Sequence, residues 1–403
     1  MKKYLYFQPE YVREFVCDGS KCGDNCCERN WNIDVDAKTF ELYRRIRPES
    51  TSEKITACFG YNTDTGKYFV KDRPCPFLTE KNLCSLQLKY GENFLSETCV
   101  TYPRRTIDFG KFFERSLRIS CPLVAEMILF RNEPIKFEFV EVSEQVHSHG
   151  GKIKIDSLYA GQKFAAHMLE IQIAMISILQ ERTLTIDQRL IVLGFFLDRL
   201  DEIICNGFDK DALKKLIDAY ESKKFLAEQV PRMLSAVKFD AEKFSELLLE
   251  LLVKLYGDRF RPDDKKFLDA LAETFDIVPD EKNQVFVTEI AANYKRLADA
   301  RKNFTVSKVT FLENFLVNEL FLTCVPWKFQ TSVAKNFGVF VAEYKLFELL
   351  TFSATQKNFA GDNLLKLTVW FARQANHDDG FGKIILDSVP DDIFDSLETL
   401  LDA

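Results

Sequence analysis

Four thiols crowd the start of this chain, in the run Cys17-Asp-Gly-Ser-Lys-Cys22-Gly-Asp-Asn-Cys26-Cys27. Four more follow at Cys75, Cys84, Cys99 and Cys121. These eight form one pattern, and of the chain's 11 cysteines Cys58, Cys205 and Cys324 stand outside it. Thiolates at loop spacings are ligands for zinc or for iron–sulfur clusters. A ligand thiol must lose its proton and point at a shared centre. Loops allow that geometry, and the sequence supplies loop residues: Gly19 and Gly23 lie in the first group, and Pro74 and Pro76 flank Cys75. Cys26 and Cys27 are adjacent, and neighbouring side chains in an extended chain diverge. Either the two serve different centres, or one backs the other.

Zinc sites usually pair C-x₂-C knuckles, and no such knuckle is present. The irregular gaps favour a cluster, expected to be of the 4Fe-4S type, with zinc as the alternative. Buried, unligated cysteines packing as small hydrophobes are the structural reading. The C-x₃-C-x₂-C signature of radical S-adenosylmethionine chemistry is absent: Cys22 and Cys26 supply its first half, but Arg29 stands at the third position. The opening Met1-Lys-Lys-Tyr-Leu-Tyr-Phe-Gln-Pro lacks the apolar stretch of a secretory signal. An odd number of cysteines also argues against a complete disulfide framework. A cytoplasmic location with reduced thiols is therefore expected.

The elements that must hold these thiols are short. Residues 1–130 read as a cysteine-rich α+β metal module. A strand is expected over Trp31–Asp36, with Asp36 capping a helix at 37–45. Further expectations are a strand at 66–70, a helix at 83–90 stopped by Gly91, a hairpin of 105–109 with 111–116, and a helix at 123–130. Residues 131–157, with Gly150-Gly151 and two histidines, read as a linker. From 158 to 403 apolar residues recur at helical spacing. Helices are expected near 158–180, 185–205, 210–220, 222–236, 240–256, 264–275, 284–303, 308–323, 333–350 and 362–376. Thr185-Ile-Asp-Gln188 fits a capping box, and Gly380-Phe-Gly382 reads as a turn. The fold class is thus mainly α, an α+β metal module followed by a larger all-α body, with a core expected to be rich in the chain's 37 Phe.

The formal net charge is −7 over 403 residues, and the acidic excess lies beyond Cys121. No basic tract stands out, so no nucleic-acid partner is expected. No uninterrupted apolar run approaches the roughly 18 residues of a membrane span, so no membrane partner is expected either.

A series of motifs runs through the first third: Pro9-x-Tyr11-x₃-Phe15-x-Cys17-x-Gly19-x₂-Cys22-x₃-Cys26-Cys27-x₃-Trp31-x-Ile33, Cys75-Pro-Phe-Leu78, Leu83-Cys84-x-Leu86-Gln87, Thr98-Cys99-x₂-Tyr102-Pro103-Arg104 and Ser120-Cys121-Pro122. Together they resemble the flagellin lysine-N-methylase family of motile bacteria. Leu312-Glu313-Asn314-x-Leu316-Val317-Asn318-x₂-Phe321 resembles a second block. Here Glu319 replaces a family tyrosine. The cysteine part is also similar to zinc- or iron-chelating cluster proteins.

The resemblance implies methyl transfer from S-adenosylmethionine to lysines of flagellin, with the cysteines holding an iron–sulfur cluster. No G-x-G-x-G after a strand marks a dinucleotide-type donor site. Lysine is a nucleophile only when neutral, and it must meet the sulfonium methyl in line. Aromatic faces hold sulfonium cations, which makes Trp31 and Tyr102 candidates; Asp34 and Asp36 could accept the ammonium. Arg104 and Arg105 are candidates to hold the donor carboxylate or to balance a cluster's charge. Tyr102 and Arg104 are the expected catalytic residues, and Trp31 and Arg105 the expected donor-binding ones. His147, His149, His167 and His377 are read as solvated, packing or capping residues. Glu313 and Asn314 are read as polar contacts of a helix.

Overall fold

The computed structural model describes residues 3–17, 19, 22, 24, 26–28, 33–142, 163–255, 262–274, 306–329, 331–356 and 361–401. The expected helix at 284–303 lies outside the described residues, as does Trp31. The chain divides into two compact units: Met1–Val124 with Lys136–Leu158, and Ala125–Ile135 with Tyr159–Ala403.

The first unit is built on two small sheets. Strands β1 (Tyr4–Pro9), β2 (Asp34–Val35), β3 (Phe59–Asn62), β4 (Lys67–Val70), β5 (Arg104–Asp108), β6 (Phe113–Leu117) and β7 (Phe137–Val142) pair in the orders β5-β6-β1-β7 and β2-β4-β3. β5 and β6 form the expected hairpin, with Arg104 opposite Leu117 and Thr106 opposite Arg115. β1 runs parallel to β6 and antiparallel to β7. β7 corrects the linker reading: its Phe-Glu-Phe-Val-Glu-Val alternates, and full-length pairing with β1 turns that alternation into a strand. The rest of that linker, 143–157, lies outside the described residues.

Short helices complete the unit. Asp36 caps Ala37–Arg44, as its position suggested. Gly91 ends Ser85–Tyr90 at φ 86°, in the region that favours glycine. Helices Glu49–Thr56 and Glu97–Thr101 were not expected. A compact core of Ile33, Val35, Tyr43, Ile46, Ile55, Phe59, Val70, Phe77 and Leu86 lies beneath, with Cys58, Cys75 and Cys84 packed against it.

The second unit is helical throughout its described length, which makes the fold mainly α. Helix Ile186–Cys205 opens with the expected capping box, in which Thr185 and Gln188 bond each other's backbone amides. Helices Lys210–Glu221, Lys223–Ala236, Ala241–Leu255 and Pro262–Thr274 follow the sequence periodicity closely. Val306–Thr323 and Val333–Gln356 are buried on nearly every side where described. Val333–Gln356 is central: it packs against Ile186–Cys205, Pro262–Thr274, Val306–Thr323, Gly361–His377 and Asp379–Ser388. Its buried charges are paired, Lys345 with Asp187 and Glu343 with Lys328, as burial on every side requires. Phenylalanines fill the space, with Phe315 stacked on Phe347 at 3.9 Å and Phe347 at 5.3 Å from Phe371. Gly380-Phe-Gly382 is not a free turn. Asp378 accepts from the amides of Gly380 and Phe381 and starts a helix there, which the two glycines do not prevent. No described helix is long and apolar enough to cross a membrane.

Candidate functional site

The cysteine module gathers from five directions. Cys26 and Cys27 sit in a 3₁₀ turn, Cys26–Glu28. The Cys27 carbonyl accepts from the Cys75 amide at 2.8 Å, tying the first thiol group to the Pro-flanked one. Cys84 immediately precedes helix Ser85–Tyr90, and its carbonyl pairs with the Leu88 amide. Cys99 lies in Glu97–Thr101, where the Ser96 hydroxyl accepts from its amide at 3.3 Å. Cys121 directly precedes helix Pro122–Leu129, and the amides of Leu123 and Val124 face its sulfur.

Electrostatics show which thiols share a region. The Cys27 thiol is pushed up by its hydrogen bond with Cys26, by burial, and by the like-charged forms of Cys26, Cys75 and Cys99. Cys99 is exposed along one side, yet the surrounding protein pushes its thiol up to about 12, with Cys75, Cys84 and Cys26 adding to the effect. Cys121 is buried and also pushed up to about 12, with small contributions from Cys22 and Cys26. Burial raises Cys75 as well, with Cys84 and Cys58 nearby. Cys26 thus acts on Cys27 and Cys99, both of which also feel Cys75, and on Cys121, which also feels Cys22. Cys17 interacts with Arg104 instead. Sequence reasoning passed over Cys58, whose only signal was its place in the same cysteine-rich segment.

Thiols are the donor set of a thiophilic metal, and the ionised forms of neighbouring thiols repel one another unless a cation lies between them. Among the described residues, however, no three His, Cys, Asp or Glu side chains converge closely enough to hold a metal ion as they stand.

Around the thiols lie the other expected residues. Tyr102, half-buried, ends Glu97–Thr101, and its hydroxyl meets the buried Ser120 hydroxyl at 3.2 Å. Arg104 opens β5 with its guanidinium 5.0 Å from the Phe15 ring centre, and burial lowers its pKa. Arg105 follows it, so strand alternation sends the two side chains to opposite faces. Asp36 is absorbed by structure, accepting from Thr39 and from the Glu97 amide. Tyr43 was not expected here; its hydroxyl donates to the Phe94 carbonyl at 2.7 Å, and its ring core is buried within reach of Cys99, Cys84 and Cys75.

The second motif block has a structural job in the other unit. Glu313 accepts from Arg182 and Arg189, and Asn314 donates to the carbonyls of Ile128, Leu129 and Arg131. Glu319 is buried and pushed up by that burial, and Asn376 and Asn318 donate to it.

A model of the FliB lysine N-methylase C-terminal domain matches residues 172–402, the helical unit just described. The chain belongs to this lysine N-methylase family. Within it, the chain is 31% identical over 140 residues to the flagellar biosynthetic protein FliU of Salmonella muenchen, covering 33% of this chain and 81% of that protein. The lysine-N-methylases of Salmonella typhimurium strain LT2 and Salmonella choleraesuis strain SC-B67 match at 31% over 140 residues. The chain spans only 34% of the length of each. No solved structure matches the chain. The FliB-family block is therefore the helical unit, and its Glu313–Asn314 motif is a buried anchor.

Proposed function

We propose that this chain is a protein-lysine N-methyltransferase that uses S-adenosylmethionine to methylate flagellin. Membership of the lysine N-methylase family carries this reading, and the flagellar name of FliU favours a flagellar substrate. In this proposal residues 1–130, with β7 returning to their sheet, form the metal module, and the helical region 158–403 shapes the protein-substrate surface. The proposed place of catalysis is the cytoplasm.

The thiols Cys17, Cys22, Cys26, Cys27, Cys75, Cys84, Cys99 and Cys121 are the candidate ligands of a 4Fe-4S cluster, with zinc as the alternative, and the influence of Cys26 on Cys27, Cys99 and Cys121 alike favours a shared centre. Such a centre, when bound, would supply positive charge that stabilises the thiolates. The chain's own residues do the rest. Arg104, partly buried beside Phe15, presents a cation to the donor's anionic end. Of the two arginines it is the better placed, because Arg105 faces the other side of β5. Tyr102, oriented by Ser120, contacts the lysine amine or the sulfonium. Trp31 offers its ring to the sulfonium. A neutral amine held in line with the methyl group completes the transfer, and burial of the target lysine favours its neutral form.

The test is anaerobic purification with iron, sulfide and zinc analysis, followed by transfer of labelled methyl groups to flagellin. Stoichiometric metal with methyl incorporation into lysine supports the proposal. A purified, metal-loaded chain that binds no S-adenosylmethionine and labels no flagellin makes it a metal-binding scaffold instead.

A further inference from the structure

One face of the β5–β6 hairpin carries a buried cation that no acid among the described residues neutralises. Arg115 is only 7% exposed. Its guanidinium lies 3.9 Å from the Tyr6 ring centre, and neither Nε nor Nη2 has a hydrogen-bond acceptor. Thr106, directly opposite on β5, is buried as well, and its hydroxyl also lacks a partner. Arg104 lies two residues before Thr106 on the same strand and therefore on the same face. Among the described residues the groups that act electrostatically on Arg115 are Tyr6 and Arg104, and no carboxylate is one of them. Burying an arginine without an acid is costly, because the ionised group loses its water and gains no counter-charge. Proteins meet that cost where an anion arrives later. A guanidinium fork with two free N–H groups, a nearby hydroxyl and a second arginine match a carboxylate held bidentately. The aromatic ring on the other side fixes the fork's plane.

We infer that Arg115, with Arg104 and Thr106, forms a carboxylate-binding subsite for the amino-acid end of the methyl donor. The inference rests on the methyltransferase reading and adds the residue that reading lacked. A buried arginine within a strand has no sequence signal: Glu114-Arg115-Ser116 reads like any amphipathic strand.

Two probes decide it: S-adenosylmethionine and decarboxylated S-adenosylmethionine, which differ only in the carboxylate. Binding of each is measured by calorimetry to the full chain carrying its metal. The wild type is expected to prefer the carboxylated form by about 10- to 100-fold, the range for charge-assisted hydrogen bonds to a buried group. Arg115→Met should bind both forms equally, at the weaker level, with unchanged metal content and circular dichroism. Equal binding of the two probes by the wild type overturns the inference and leaves the methyltransferase reading standing. Binding of neither probe overturns both. An Arg115→Met chain that loses its metal would assign the guanidinium to balancing thiolate charge and would also overturn the carboxylate subsite. If Arg115→Met fails to fold, the wild-type preference and its reduction in Arg104→Met decide the matter.

Discussion

Arg189 Nη1 donates to Glu313 Oε2 at 2.7 Å, and both side chains are almost wholly removed from water. The two residues lie 124 positions apart. Arg182 joins the same carboxylate from the other side, 2.8 Å from Oε1, and ties it to the Asn132 carbonyl. Arg189 also donates to the carbonyls of Leu179 and Leu184. One carboxylate thus holds the loop before Ile186–Cys205 against Val306–Thr323. Removing it leaves two guanidinium groups facing a gap, one of them buried. Glu313→Ala should cost about 3–5 kcal/mol of unfolding free energy. Urea denaturation followed by far-ultraviolet circular dichroism measures this, and a loss below about 1 kcal/mol would show that water replaces the carboxylate.

Asp36 joins two helix starts. It accepts from the Thr39 amide and hydroxyl, both at 2.8 Å, and from the Glu97 amide at 3.1 Å. Burial alone would raise its pKa, but the amide and hydroxyl donors outweigh it and hold the carboxyl below its usual range. A carboxyl lowered on folding contributes stability above its unfolded pKa of about 3.9, and that contribution is lost as pH falls through the lower folded value. Asp36→Asn should therefore flatten the acid limb of the stability curve below about pH 4. Asp36→Ala should cost about 1–2 kcal/mol at neutral pH. An acid limb identical to wild type in Asp36→Asn would rule out this linkage.

The metal-free thiols should be sluggish. With Cys99 and Cys121 pushed up to about 12, neutral thiol dominates both at pH 8. Their thiolate fraction there is on the order of 10⁻⁴, so iodoacetamide should label them far more slowly than a free cysteine of pKa about 8.5. These raised pKa values also mean that the unfolded chain ionises first. Stability of the metal-free chain should fall as pH rises above about 8.5 and continue falling toward the folded value. Site-resolved mass spectrometry of the chelator-treated chain tests the first outcome and thermal melts from pH 7 to 10 the second. Labelling of Cys99 as fast as glutathione would exclude a crowded thiol centre.

Much of the helical body could be read from periodicity and caps. The helix ends at Cys205, Ala236 and Thr323 fall where the sequence pattern stops, because each helix has a local signal: a cap, an apolar stripe or a breaker. What the sequence hid depends on distant partners. β1 and β7 stabilise each other across more than a hundred residues, so the alternation of β7 had no partner nearby in the sequence. Glu97–Thr101 is only five residues long and is started by Ser96 and by Asp36 from far away. In the candidate site, the thiols were visible by type and spacing. Arg115 was not, because what sets it apart is the absence of a partner, and a sequence does not record absences.

Tyr102 is where structural and catalytic roles can be separated. Its hydroxyl shares a hydrogen bond with Ser120, one residue before Cys121. If the ring only packs, Tyr102→Phe costs about 1 kcal/mol of stability, and methylation follows the folded fraction. If the phenol meets the reacting amine, as proposed, kcat falls by about 10²–10⁴-fold, while KM for flagellin and metal content stay near wild type. The pH profile separates the two roles further, since a lost proton acceptor changes the limb on which the lysine becomes neutral. Methylation kinetics of Tyr102→Phe and Ser120→Ala, each matched to its melting temperature, provide the measurement. We expect Ser120→Ala to lose less than Tyr102→Phe, because it misorients the phenol without removing it. Equal kcat values for Tyr102→Phe and wild type would return Tyr102 to the packing that holds Cys121 in place.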